Sequence, residues 1–247
     1  MDEYIGEDVK DKLSKVAASF LVAVGAFLAA STLIFTVASV FRSFGAGSLL
    51  RVPSVTFGLS TIVQGAAFGV VAFAYLRMRN LSLSFIKARL PTLRDVALFV
   101  GGFILLYVAL IVISVVFQSA GVESASNTIQ EQGQKNPEIF LVMIPLAFLV
   151  IGPGEELLFR GIIQGTLREE FTAAPAVAIA SAIFAVGHIT ALTGGGSKIA
   201  SIAAIFALSL ILGAVYETSE NLVVPAMIHA SYDAVLFVAM YIRTVGV

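Results

Sequence analysis

The sequence predicts an all-α membrane protein, a polytopic bundle of about seven to eight transmembrane helices. Hydrophobic residues make up 58% of the chain and charged residues only 13%, whereas soluble proteins average about 45–50% apolar and about 25% charged residues. Apolar segments recur along the whole chain, each long enough to cross about 30 Å of hydrocarbon. No soluble domain is evident, so we interpret 1–247 as a single integral membrane domain.

The apolar segments predict the order of the membrane spans. After the polar N-terminal stretch, the first apolar run is too long for a signal-peptide core, which indicates a retained span. The fourth segment is longer than one crossing needs, and Gly152-Pro153-Gly154 interrupts it, which predicts a kink or the end of a half-helix. The predicted spans are roughly 15–41, 55–76, 96–118, 138–168, 173–190, 199–216 and 222–243.

Basic residues predict how the spans are oriented. Five Arg and Lys residues lie between the second and third spans, with no acidic residue before Asp95. By the positive-inside rule this loop is cytoplasmic, which also places the N-terminus inside and the loop 119–137 outside. We therefore predict a multi-pass protein of the cell membrane. Thr92, followed by Asp95, predicts an N-cap with an acidic N3 residue at the start of the third helix.

Composition also excludes several classes of function. The chain has no Cys, so disulfides, thiolate nucleophiles and Cys-ligated zinc are ruled out. A net charge of −1 argues against a nucleic-acid partner, because a phosphate-binding surface needs clustered Lys and Arg in excess. The expected partners are the lipid bilayer and a membrane-associated or lipidated peptide or protein.

Acidic and imidazole groups are concentrated where a membrane protein tolerates them least. Glu155 and Glu156 lie in the apolar stretch IPLAFLVIGPGEELLFRGIIQG, and the only two histidines, His188 and His229, lie in similarly apolar stretches. An ionised group at the centre of a bilayer costs at least about 2.5 kcal/mol. Depths counted from the predicted helix ends allow the three spans that carry these groups to meet around one cavity open to the cytosol.

The spacing of these groups predicts a division of roles. Glu156 precedes Arg160 by four residues, which favours an intrahelical ion pair and leaves Glu155 as the freer carboxylate. Glu155 and His188 suit activation of a water molecule for peptide hydrolysis. His229 can donate an N–H to the oxyanion, and Asp233, four residues later, can orient this ring by accepting from its other nitrogen.

Three motifs that carry these groups resemble those of a known family. Glu155-Glu156-Leu157-Leu158-Phe159-Arg160, Phe184-Ala185-Val186-Gly187-His188 and His229-Ala230-Ser231-Tyr232-Asp233 resemble the EExxxR, FxxxH and Hxxx(N/D) motifs of CPBP intramembrane proteases. That family includes Rce1-type CaaX-processing endopeptidases and bacteriocin-immunity (Abi) proteins. The resemblance covers the core 138–243, while the helices of 1–118 match only as additional membrane helices.

The resemblance implies a helical core with a conical cavity facing the cytosol, and hydrolysis without a metal. Within that scheme Glu155 and His188 match the water-activating pair, and His229 with Asp233 matches the pair on the oxyanion side. The best-known prenyl-protein processing members carry Asn at the last position. An ionised Asp cannot donate to an oxyanion, so the role of Asp233 is either to orient His229 or to act in its protonated form.

The residues leave other functions open. A zinc peptidase that uses His188, His229 and a carboxylate is compatible with the number of ligands, although no cofactor is expected from the leading interpretation. A non-catalytic binding or immunity protein would use the polar cavity to hold a peptide. A proton-coupled transporter is disfavoured, because the hydropathy shows no inverted repeat. The leading interpretation remains an intramembrane glutamate-type endopeptidase.

Overall fold

The computed structural model describes residues 2–246, with side chains from residue 8 onward, and these residues form a helical bundle. Seven helices in this part of the chain are long and apolar enough to cross a membrane, which confirms the predicted fold class. In chain order the helices are α1 (Asp2–Ser43), α2 (Pro53–Met78), α3 (Leu93–Ser119), the short α4 (Thr128–Lys135), α5 (Glu138–Leu167), α6 (Ala173–Gly187), α7 (Lys198–Ser219) and α8 (Val223–Val245).

The loops between these helices gather at two opposite ends of the bundle. At one end, which we call the basic face, Leu222 N–H donates to the carbonyl of Lys87 at 3.1 Å and Lys15 pairs with Glu169. At the other end, strands β1 (Ser126–Asn127) and β2 (Leu192–Thr193) pair antiparallel. The chain therefore alternates between the two ends, as consecutive membrane crossings require.

The first helix extends beyond its predicted span. It includes the polar N-terminal stretch and runs from Asp2 to Ser43, whereas the apolar pattern predicts a start near residue 15. Asp8 and Lys12, one helical turn apart, form an ion pair at 2.7 Å on the exposed surface. Such a pair supports an exposed helix, so apolar length alone underestimates the extent of α1.

The start of α3 follows the predicted capping pattern. Asp95 Oδ2 accepts from the backbone N–H of Thr92 at 2.7 Å, and the Thr92 hydroxyl accepts from the Asp95 N–H at 3.4 Å. The same carboxylate is fully buried and pairs with Arg89 at 2.5 Å. This capping box and ion pair fix the loop before α3 at the basic face.

The long helix α5 does not break at Gly152-Pro153-Gly154, so the predicted half-helix end is wrong. Instead the helix widens into π turns at Ala147–Ile151 and Leu157–Gln164, on either side of the glutamate pair. Gly152 N–H donates to the carbonyl of Ala147, five residues earlier. Pro153 has no backbone N–H and therefore interrupts the hydrogen-bond pattern of the α-helix. The π turn before it, in which the N–H bonds the carbonyl five residues earlier, accommodates this interruption.

Aromatic side chains from four helices pack beside the glutamate pair. Phe159 of α5 meets Phe184 of α6 edge to face, with ring centroids 4.9 Å apart. Phe27 of α1 meets Phe68 of α2 in the same manner at 5.3 Å. Edge-to-face contacts of this kind fix ring orientation, so α5 and α6, which carry Glu155 and His188, are held by a close-packed apolar cluster.

Candidate active site

Glu155 and His188 face each other across the junction of α5 and α6. The carboxylate oxygen Oε2 of Glu155 lies 3.8 Å from Nε2 of His188, and the two side chains are 13% and 28% exposed. The sequence predicted that these two groups could meet in one cavity, and the structure brings them within the span of one bridging water, roughly 5–6 Å. Glu155 Oε2 is buried and accepts no hydrogen bond from the described residues, so it has free capacity for a ligand.

The backbone fixes which nitrogen of His188 can act as a base. Nδ1 lies 2.8 Å from the carbonyl oxygen of Phe184, and a carbonyl can only accept, so Nδ1 must carry the hydrogen. In the neutral ring, Nε2 then presents a lone pair toward Glu155. Two acceptors that face each other at this distance need a shared proton donor, and a water molecule has two O–H groups for that purpose.

His229 is held from the opposite side by the second glutamate. Its Nδ1 lies 2.9 Å from Oε1 of Glu156, and Oε2 of the same carboxylate lies 3.1 Å from Nε of Arg160. The predicted pair of Glu156 and Arg160 is therefore present. Because an ionised Glu156 can only accept, the Nδ1 atom of His229 donates, which leaves Nε2 pointed toward Glu155 at 4.0 Å.

Arg160 closes this network inside the bundle. It is 1% exposed, donates from Nη2 to the hydroxyl and carbonyl of Ser209 on α7 at 2.9 and 3.1 Å, and lies over the Phe184 ring at 4.8 Å. The Ser209 contact was not predicted from the sequence, because a lone serine in an apolar helix gives no signal of its partner. Phe184 is buried in the apolar core.

The structure corrects the predicted way in which His229 is oriented. Asp233 was expected to accept from the ring nitrogen that faces away from the site, but that position is taken by Glu156. Asp233 instead faces Nε2, with Oδ2 at 3.6 Å. Asp233, four residues further along α8, lies on the side of the ring that faces Glu155, whereas Nδ1 points across to α5.

The three motif helices reach one point although their starts at the basic face are staggered. At about 1.5 Å per residue, His188 lies about 22 Å along the chain from Ala173, while His229 lies only about 9 Å from Val223. The turn before α8 is packed against the protein, because Ser219 and Asn221 are 1% and 0% exposed. Glu220 between them is 67% exposed and pairs with Lys87 at the basic face.

The arrangement of His, Asp and Glu side chains bears on whether the site binds a metal ion. Among the side chains of residues 8–246, no group of three or more His, Asp or Glu is arranged to hold a metal ion. The N···O distances that link Glu155 to His188, Glu155 to His229 and His229 to Asp233 are 3.6 to 4.0 Å. The expectation of a metal-free site stays a prediction that chelation must test.

The cavity that contacts Glu155 lies beside α2, which the sequence did not predict. It measures about 20 Å³ and lies between α2 and α5, rather than among the three motif helices. Its polar lining residues are Thr61, Gln64 and Glu155. Neither α2 residue belongs to a recognisable motif, but an amide in the middle of a membrane helix is itself a signal of a polar contact.

Comparison with known proteins agrees with the motif pattern. Residues 137–235 match the model of a family described as type II CAAX prenyl endopeptidase Rce1-like. No curated protein sequence and no solved structure matches the chain. The matched segment contains all six residues predicted for the site, namely Glu155, Glu156, Arg160, His188, His229 and Asp233. Residues 137–235, which carry the three motifs, are therefore similar to the Rce1-like family.

Proposed function

We propose that this protein is an intramembrane endopeptidase that hydrolyses peptide bonds with a water molecule activated by Glu155 and His188. The observation that carries the proposal is the 3.8 Å approach of Glu155 Oε2 to His188 Nε2. Glu155 Oε2 accepts no hydrogen bond from the described residues, and with Nδ1 bound to the Phe184 carbonyl the neutral His188 ring presents the lone pair of Nε2. A water that donates to both would be oriented with its oxygen lone pairs free to attack.

The reaction would proceed by direct addition of water. The water oxygen attacks the carbonyl carbon of the scissile peptide bond while one of its protons passes to Glu155. The carbonyl oxygen becomes an oxyanion. When the tetrahedral intermediate collapses, the C–N bond breaks and the proton held by Glu155 passes to the leaving nitrogen, so the products are a carboxylic acid and an amine.

His229 is the donor that we assign to the oxyanion. With Nδ1 held by Glu156, only Nε2 is directed toward the reacting groups. In the doubly protonated ring, Nε2 carries an N–H that Asp233 and Glu155 face at 3.6 and 4.0 Å. Glu156 and Arg160 act through His229 as positioning residues, since a donor fixed before the reaction stabilises developing charge most effectively.

The substrate class that we propose is a membrane-associated protein or peptide, including prenylated CaaX-type chains. This part rests on the description of the matched family and on the position of Glu155, His188 and His229 in helices long and apolar enough to cross a membrane. A lipid anchor would hold a substrate at the bilayer while its peptide reaches the site. We further propose that the protein lies in the cell membrane with its site accessible from the cytoplasm, as the positive-inside rule predicts.

The proposal is tested with purified protein in detergent and an internally quenched, farnesylated CaaX peptide. Wild-type protein should cleave it, and Glu155→Gln should lower kcat by about 10²–10⁴-fold, the usual contribution of a general base. Glu138→Gln is the matched control, because Glu138 is an exposed carboxylate at the start of the same helix. It should leave kcat unchanged. The same peptide without the farnesyl group measures the contribution of the lipid.

Two alternatives are outcomes of this experiment. Complete loss of cleavage on chelation, restored by added zinc, would identify a zinc peptidase and overturn the metal-free mechanism. Wild-type protein that binds both peptides without cleaving them, with equal affinity in Glu155→Gln, would indicate a binding or immunity protein. Cleavage by Glu155→Gln at the wild-type rate would remove Glu155 from the mechanism.

A further inference from the structure

A small cavity links the proposed water-activating glutamate to a helix outside the matched segment. It lies between α2 and α5, and its volume is about 20 Å³. A cavity needs about 10–15 Å³ to hold one water, so this space accommodates one water molecule and is too small for a lipid chain or a peptide side chain of ordinary size.

Three polar side chains line this cavity, enough to hydrogen-bond a single water. Thr61 contributes a hydroxyl, Gln64 an amide and Glu155 a carboxylate. A buried water makes about three hydrogen bonds, with a range of two to four. The remaining lining is apolar or lacks a side chain, and consists of Gly65, Phe68, Val150 and Ile151.

Gly65 allows α2 to lie close to α5, and this places the adjacent Gln64 at the cavity. Gly65 lies where α2 crosses α5, and a Cβ at this residue would collide with the side chain of Val150. On the other side of the same crossing, a Cβ on Gly154 would lie 3.4 Å from the Cα of Gly65. This close approach brings the neighbouring amide of Gln64 beside Glu155, across the boundary between the unmatched and the matched part of the chain.

A water bound in this cavity could supply the hydrolysis reaction proposed at Glu155. Each turnover consumes one water at Glu155, and the surroundings of the site are mostly apolar. We propose that Gln64 is a positioning residue that holds, with Thr61, a resident water on the α2 side of Glu155, from which the attacking water is replaced. The assignment rests on the proposed function, since it supplies the nucleophile for the same reaction.

The test combines kinetics with direct observation of the water. Gln64→Met removes the amide with little change in volume, and Gln64→Asn keeps a shorter amide. With the farnesylated CaaX peptide, Gln64→Met should lower kcat about tenfold while KM and thermal stability stay within about twofold and a few degrees of wild type. Gln64→Asn should recover part of kcat. Gln118→Met, the same change at an exposed position of α3, should have no effect.

Crystal structures of wild type and Gln64→Met provide the second measurement. Density for a water between Gln64 and Glu155 is expected in wild type and should be lost in the variant. A wild-type cavity without this density, or an unchanged kcat in Gln64→Met, would overturn the assignment. If wild-type protein cleaves no peptide but the water is present and depends on Gln64, the proposed hydrolysis fails while the hydration site stands.

Discussion

The protein contains two networks of charged groups, one inside the bundle and one on the basic face, and their surroundings give them different roles. In the first, the Glu156 and Arg160 side chains are 0% and 1% exposed and lie 3.1 Å apart. In the second, Arg79 and Glu169 are 36% and 25% exposed and lie 3.0 Å apart. The distances are nearly equal, so burial rather than proximity determines what each pair contributes to stability.

The buried network is costly to disturb because its members have no access to water. Glu156 is surrounded by Arg160 and His229, and removal of one partner of a buried pair leaves an uncompensated charge in an environment of low dielectric. The exposed network loses little when one member is removed, since water replaces the missing partner. The two networks therefore predict substitution effects that differ several-fold.

The largest effect is expected for Arg160→Met. This change leaves the carboxylate of Glu156 buried without its cation, and breaking a buried pair costs about 3–5 kcal/mol. We expect a strong decrease in the free energy of unfolding, measured in detergent by denaturant titration. Arg168→Met is the matched control, because Arg168 is 40% exposed and pairs with Glu217 at 3.1 Å; it should cost less than about 1 kcal/mol.

A double variant separates lost charge pairing from lost packing. Glu156→Gln combined with Arg160→Met removes both charges, so it should be more stable than Arg160→Met alone. If Arg160→Met costs no more than Arg168→Met, the internal pair is not a stabilising feature, and the contrast between the two networks is wrong.

Sequence reasoning predicted side chains that the structure brings close together, but not the way in which they are connected. Glu155, His188 and His229 are recognisable because ionisable groups in apolar helices are rare and costly. The partner of His229 was misassigned, because the spacing of Asp233 shows only that it shares a helix face. The identity of the residue on the neighbouring helix, Glu156, depends on how α5 and α8 pack, and one-dimensional periodicity does not contain that information.

The π turns of α5 are a second feature that the pattern could not predict. Pro153 between two glycines indicates a break in helix geometry, but a kink, a helix end and a pair of π turns have the same sequence signal. Packing decides among them. A Cβ on Gly152 would lie 2.6 Å from the carbonyl of Ala226, so the close contact with α8 holds the helix continuous through this point.

An intermediate effect is expected for Gly65→Ala. Helix α2 contains one glycine packed against α5, Gly65, and one in open surroundings, Gly69. A Cβ on Gly65 would collide with Val150 of α5, whereas a Cβ on Gly69 would meet nothing within 4 Å. Overpacking typically costs about 1–3 kcal/mol, so Gly65→Ala should destabilise the protein by about that amount. Gly69→Ala should be neutral or stabilise it by up to about 1 kcal/mol, because alanine favours helix.

Thermal unfolding of the two variants in detergent provides the measurement for this contrast. Equal midpoints for Gly65→Ala and Gly69→Ala would mean that α2 and α5 are not in close contact. That result would also remove the structural reason for the position of Gln64 beside Glu155.

The smallest effect is expected on the basic face, for Glu169→Gln. Partial burial favours the neutral carboxyl, but the hydrogen bonds and charges of Lys15 and Arg79 outweigh it and lower the pKa of Glu169 below its ordinary value. A lowered pKa means that the carboxylate stabilises the folded state above the ordinary pKa, and that this contribution is lost as the pH falls through the lowered value. The free energy of unfolding should therefore fall by less than about 1 kcal/mol in Glu169→Gln at pH 7.

This difference between Glu169→Gln and wild type should shrink in acid and in about 1 M salt, where exposed charges are screened over about 3 Å. Glu170→Gln is the control, because Glu170 is the exposed neighbour and contributes to none of the ion pairs among residues 8–246. Unfolding curves at several pH values provide the measurement. A loss at pH 7 as large as that of Arg160→Met would show that Glu169 holds the loops of the basic face together, and that exposure does not weaken this network as proposed.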